Sequence, residues 1–231
     1  MLAHRSHEHE LLDDASLDAV ELRANLRELG MLNRLPGGTA ASIAAIELLA
    51  DGARDLAVLD VGTGGGEMAL AFARHGQRGR ARWQVIAADS HPEVLAVAAR
   101  RLRRDPSATT LLADGRRLPL ADGSVDVAHA SLLIHHFEPQ DALALLAELR
   151  RVARVGVVIN DLRRGVLPYL VTTATVLALS RARYTRHDGP LSARRAYTIR
   201  ELDELLHAAG LSVVSRTPTL LPRVVTAAVS T

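Results

Sequence analysis

Residues 58–70 read VLDVGTGGGEMAL, and this stretch decides the fold. An apolar run carries Asp60 near its end, four glycines fall between positions 62 and 66, and a helix-forming segment follows. A strand, a glycine loop and a helix in that order let a ligand approach backbone N–H groups at a helix N-terminus. Outward from the loop, strand-like and helix-like segments alternate. The pattern predicts strands at 56–61, 83–89, 108–114, 124–131 and 154–160. It predicts a helix over about 66–75 and two more opened by Pro92 and Pro139, the residue type that suits a first helical turn. Val94, Leu95, Val97, Ala98 and Leu102 share a face of one, and Leu143, Leu146 and Leu149 a face of the other. Such alternation defines an α/β fold with a doubly wound, mostly parallel sheet.

The two ends depart from this rhythm. Residues 1–14, with His4, His7 and His9, read as a frayed, solvated tail. Ser16 is placed to cap a helix over 17–29 that Gly30 would stop, and a second helix spans about 39–50. Residues 161–197 read as an insertion of one apolar helix and a basic loop. The alternation resumes at 198–210, where Thr198 and Glu201 have the spacing of a capping box and Gly210 ends the helix. Segments 211–221 and 223–230, meeting at Pro222, predict an antiparallel hairpin at one sheet edge. The organisation expected is a helical cap (1–50) and a main domain (51–231) in which 161–197 form a lid or substrate insertion.

Composition narrows the function. All 28 basic residues are Arg, balanced by 26 acids, so the net charge is only +2. The densest basic run, RRLRR at 100–104, closes a helix, where cations are favoured by the helix dipole, and reads as a solvated end. No nucleic-acid partner is expected. The absence of Cys removes disulfides, thiolate metal sites and any Cys nucleophile. The N-terminus lacks the apolar core of a signal peptide, and the apolar stretch 165–179 contains Pro168 and is short for a bilayer. A soluble, cytoplasmic monomer or homodimer without an integral membrane segment is expected.

The loop must then choose its ligand. A phosphate loop needs Lys after its last glycine, and the chain has no Lys. A dinucleotide fingerprint starting at Gly62 and Gly64 needs a third glycine where Glu67 stands, which disfavours that reading. Asp60 would repel a pyrophosphate but would suit a cationic, phosphate-free ligand such as S-adenosylmethionine. Asp89 ends the second strand, where it can accept from both ribose hydroxyls. Asp114 ends the third, where it can accept from an adenine amino group beside the Gly115 backbone. Three acids at the ends of successive parallel strands converge on one crevice.

The segments VLDVGTGGG, VIAADSHPEVLAVAARR and LLADGRRLPLADGSVDVAHASLLIHHFEP, within 58–138, resemble the class I S-adenosylmethionine-dependent methyltransferases, in particular the small-molecule, ubiquinone-biosynthesis-like branch. The resemblance implies seven strands with the last antiparallel. It implies a cofactor set of Asp60, Gly62, Thr63, Gly64, Gly66, Asp89, Ser90, Asp114, Gly115 and Ser131, with Arg34 near the methionine end. The flanks LRELGMLNRLPGG and NDLRRGVLPYL…GPLSARRAYT are similar to methyltransferases found with type III polyketide synthases. That implies O-methylation of a hydrophobic phenol, hydroxyquinone or polyketide. C-methylation of a quinone precursor stays open, and a nucleic-acid methyltransferase or a non-catalytic cofactor-binding protein stands further off.

An acceptor phenol with a pKa of about 10 benefits from a base near neutral pH. His135 and His136, in the LLIHHF segment after the fourth strand, are the candidates, with Asp161 to orient one of them. Asn33, Arg163, Arg164 and Tyr169 are candidate substrate contacts, and Tyr184 and Tyr197 weaker ones. No carboxylate-rich magnesium site can be assembled, so metal-independent chemistry is expected.

Overall fold

The computed structural model describes residues 2, 4–13, 18–35, 38–78, 82–217 and 222–231. In chain order the elements are α1 (Ala19–Leu32), α2 (Thr39–Ala50), β1 (Asp55–Val61), α3 (Glu67–Arg78), β2 (Arg82–Asp89), α4 (Pro92–Leu102), β3 (Ala108–Leu112), β4 (Val125–Ser131), α5 (Pro139–Val152), β5 (Ala153–Leu162), α6 (Val166–Leu179), α7 (Arg183–Arg195), α8 (Ile199–Ala208), β6 (Leu211–Thr217) and β7 (Arg223–Ser230). The strands form one seven-stranded sheet in the order β3-β2-β1-β4-β5-β7-β6. β1 to β5 are mutually parallel, and β7 runs antiparallel to both β5 and β6. The expected doubly wound sheet and its terminal antiparallel hairpin are therefore present.

Each face of the sheet carries a core. On one side α5 and α8 contribute Leu145, Leu146, Leu149 and Leu206, all fully buried. On the other, α2 and α3 contribute Ile46, Met68 and Phe72 against Val58 and Val85. Side chains of this kind contribute about 1.5–3 kcal/mol each when taken from water. The strand order reverses between β1 and β4, so the crevice of the fold opens at their C-terminal ends, beside the glycine loop.

Four local expectations are corrected. Ser16 lies outside the described residues, and Asp18 caps α1 instead, its carboxylate accepting from the Val20 and Glu21 amides. Gly30 does not stop that helix. It sits inside α1, and a Cβ there would come within 2.6 Å of the Glu67 side chain, so the glycine serves close packing rather than a turn. The insertion holds two helices, because the supposed basic loop is α7. α7 tolerates Pro190 because tertiary contacts hold it: Asp188 accepts from the Leu11 and Leu12 amides, and Gly189 lies against Val176. Residues 4–13 are not a frayed tail. The buried Arg5 guanidinium donates to the carbonyls of Arg195, His135 and Phe137 at 2.6–2.7 Å and lies over the Tyr197 ring. The segment is a strap across α7 and the turn after β4.

The capping box at Thr198 and Glu201 forms as expected, and Gly210 adopts φ +74° after α8. α6 turns Thr172 and Val176 inward and leaves Leu167, Leu170 and Leu177 exposed. Among the described residues, no helix is long and apolar enough to cross a membrane.

Candidate active site

The glycine loop starts where β1 ends in the middle of the sheet. Gly62, Gly64 and Gly66 have φ of +67°, +57° and +77°, a region that side chains with a Cβ rarely adopt. The loop is fixed by its own backbone and by the next strand: the Thr63 amide donates to the Ala88 carbonyl and the Gly66 amide to Thr63, both at 3.0 Å. Arg101 of α4 donates to the Gly65 carbonyl at 2.7 Å and pairs with Glu67.

Asp60 is buried beneath the loop. It accepts from the Thr63 hydroxyl at 2.7 Å and pairs at 2.7 Å with His129, whose other nitrogen reaches the Ser42 hydroxyl at 3.0 Å. The network continues through Asn160, which donates to Ser42, to Arg223 of β7. Arg223 also donates to Asn33 at 2.6 Å and to Ser131 at 2.7 Å. Burial pulls the Arg223 guanidinium down to about 10, with Asp161 acting against that shift. Sequence reasoning missed His129, Ser42 and Arg223. The available signal was a polar residue in an otherwise apolar strand, as His129 is in VDVAHAS and Arg223 in RVVTAAVS.

Asp89, at the end of β2, accepts from the Gly64 and His91 amides at 3.0 Å each. Burial pushes its carboxyl above the usual range, and the two amides only partly offset this. β3 ends at Leu112, two residues before Asp114, which lies half-exposed in the following turn. A two-pronged hydrogen bond from Arg116 holds the Asp114 carboxyl below its usual range. Gly115 leaves no room for a side chain: a Cβ would meet Val61 at 2.7 Å and Leu145 at 2.9 Å.

These groups line a cavity of about 510 Å³, within the range of a small-molecule site. Gly62–Gly65, Asp89, Ser90 and Asp114 give it polar wall. Leu26 and Leu29 of α1 and Val171 and Val176 of α6 add apolar wall, interspersed with Thr172, Thr175 and Thr185, and Leu26 stands beside Gly64 of the loop. His135 and His136 lie on its lining, in the turn Ile134–His136 after β4. Leu132 just before this turn has φ +50°, a strained conformation for a residue with a branched side chain. The His135 Nδ1 pairs with Asp161 at 2.6 Å, and Asp161 also accepts from the His135 amide at 3.2 Å. Burial alone would raise the Asp161 carboxyl, but the charge and hydrogen bond of His135 outweigh it and hold it low. The ring of His136 stands 4.4 Å from that of His135.

Of the expected site residues, Asp60, Gly62, Thr63, Gly64, Asp89, Ser90, Asp114, Gly115, Ser131, Asn33, His135 and His136 line the cavity, and Gly66 and Asp161 lie directly behind it. Arg34 is exposed and off the lining, and the half-buried Arg163 and Tyr169 and the buried Arg164 are off it too. Arg164 is buried elsewhere, bonded to the Ala196 carbonyl and Glu201, and so ties the end of β5 to the start of α8. Tyr184 and Tyr197 are also absent from the lining. Tyr184 accepts from the Asp18 amide, and Tyr197 donates to the Phe137 carbonyl with its phenol pushed up to about 12, chiefly by burial. Glu10, which the tail reading passed over, does line the cavity, buried beside both histidines.

The fold is that of the class I S-adenosylmethionine-dependent methyltransferases, and residues 58–156 match the family model described as a methyltransferase domain. A methyltransferase from Mycobacteroides abscessus of uncharacterized role is 41% identical over 45% of this chain. The chain spans only about two fifths of the length of the curated relatives it matches, 42% of one and 38% of the other. Among solved structures, an S-adenosylmethionine-dependent methyltransferase from Aquifex aeolicus superposes with TM-score 0.61 at 19% identity, covering 92% of this chain and 98% of its own. The magnesium protoporphyrin IX methyltransferase of Synechocystis with bound S-adenosylmethionine superposes equally well, TM-score 0.61 at 14% identity, covering 94% of this chain and all of its own.

Proposed function

We propose that this protein is an S-adenosylmethionine-dependent methyltransferase that methylates a hydroxyl of a largely apolar small molecule such as a phenol, hydroxyquinone or polyketide. The observation that carries the reading is one mostly apolar cavity that brings together a glycine loop, Asp89, Asp114 and His135. In this reading the glycine amides at the start of α3 face the cofactor carboxylate. Asp89 has lone pairs beyond those used by its two amides and accepts from the ribose hydroxyls. Asp114 accepts from the adenine amino group beside Gly115, and the buried Asp60 supplies negative charge under the sulfonium.

The acceptor lies against Val171 and Val176, with its hydroxyl toward His135. Asp161 holds Nδ1, so Nε2 faces the acceptor and takes its proton. The oxygen then forms a bond to the methyl carbon as the carbon–sulfur bond breaks, and S-adenosylhomocysteine leaves as a neutral thioether. The strap, α1 and residues 161–197 act as cap and lid, keeping water from the sulfonium, and the mostly apolar lining sets the preference for a hydrophobic acceptor.

The test uses methyl-labelled cofactor with alkylresorcinols, alkylpyrones, hydroxyquinones and tRNA. Label in an aryl or enol ether of one of the small molecules is expected. Label in tRNA alone, or on carbon, would overturn the acceptor assignment.

A further inference from the structure

The strap brings a third group to the two histidines. Glu10 is buried, as is His135, and His136 is partly so. One ligand atom from each lies within 4.8 Å of the others. Glu10 Oε1 stands 3.9 Å from His135 Nε2, and its Oε2 stands 3.7 Å from His136 Nε2. Those separations are too long for hydrogen bonds. They suit two atoms bound to one ion, because ligands at about 2.0–2.1 Å in tetrahedral array sit roughly 3.4 Å apart. We propose that Glu10, His135 and His136 form a divalent transition-metal site of the two-histidine, one-carboxylate kind, open on the cavity side.

Two further features fit. Asp161 binds His135 Nδ1, the outer partner that typically fixes a ligating histidine and presents Nε2 to the metal. The Ser192 hydroxyl donates to Glu10 Oε1 at 2.9 Å, which orients the carboxylate. Imidazole and carboxylate donors suit zinc, iron or cobalt better than magnesium. All three ligands line the cavity, so the open position faces it.

The site stands on this geometry alone; its role rests on the methyltransferase reading. An acceptor hydroxyl bound to the ion would lose its proton to solvent near neutral pH, as metal-bound water does. With the ion bound, His135 is a ligand and the ion replaces it in removing the acceptor's proton; only the exchange of the carbon–sulfur for the carbon–oxygen bond is as written above. Selection would follow: acceptors that can place an oxygen on the ion are preferred over those that cannot.

The experiment is a titration with cobalt(II), followed by visible absorption and equilibrium dialysis. It is done on the full chain in a His4→Ala/His7→Ala/His9→Ala background, since those exposed histidines offer an adventitious site. One equivalent with the visible bands of low-coordinate cobalt is expected, and Glu10→Gln and His136→Ala should each weaken binding at least tenfold. Calorimetry with S-adenosylhomocysteine on the same proteins reports folding and the cofactor site separately. No saturable binding, or binding unchanged in both variants, would overturn the metal site and leave the cofactor reading intact. Cobalt binding without S-adenosylhomocysteine binding would do the reverse.

Discussion

Gly62 and Asp89 show how much of the site depends on single residues. Gly62 has φ +67°, and a Cβ there would meet Leu133 at 2.8 Å. Gly62→Ala should therefore cost about 1–3 kcal/mol from backbone strain alone and distort the loop. A lower Tm together with at least a tenfold loss of S-adenosylhomocysteine affinity by calorimetry is the expected outcome. Asp89 gives a pH signature. Its carboxyl is pushed up by burial, so on acidification it takes its proton before an ordinary Asp would. The protonated group has lost acceptor capacity for the ribose hydroxyls. Cofactor affinity should thus start to fall at a pH above the usual Asp value of about 3.9, and Asp89→Asn should bind weakly with no such dependence. Calorimetry across that pH range checks both. Asp60, Asp89 and Asp114 were legible in the sequence because each sits at or just past a strand end, a position fixed by local pattern. Glu10 was not, because its importance arises from a contact 125 residues away with His135.

At the scale of elements, hydrophobic periodicity and punctuation by Pro, Gly and Asp revealed every strand and most helices. The pattern failed where tertiary contact overrides local preference. α7 carries Gly189 and Pro190, which read as loop, yet it is helical because its buried side and Asp188 are held by the strap and α6. The strap was misread for the converse reason: its charged residues look solvated, but Arg5 and Glu10 find buried partners. This makes a direct prediction. Arg5 bonds three carbonyls while its side chain is only 8% exposed. Arg5→Ala should cost about 3 kcal/mol, or roughly 6–12 °C in Tm for a chain of this size. The turn bearing His135 should loosen with it, because two of those carbonyls belong to His135 and Phe137. Thermal unfolding reads the first effect, and hydrogen exchange at residues 132–137 the second. A Tm within 2 °C of the parent would show that the strap carries little of the stability.

At the scale of the molecule, the sheet gathers groups scattered from Glu10 to Arg223 around one cavity at the reversal of strand order. The sequence showed the glycine-loop side of that cavity; its other walls needed the packing of α1, α6 and α7, which no local pattern encodes. The proposed chemistry requires this cavity to hold an adenosyl thioether or sulfonium. Calorimetry with S-adenosylhomocysteine against NAD, on the parent chain and Asp89→Ala, tests it most directly. The account predicts one molecule of S-adenosylhomocysteine bound per chain at micromolar affinity or better, at least tenfold weaker binding to Asp89→Ala, and no heat with NAD. Tight binding of NAD with none of S-adenosylhomocysteine would contradict it.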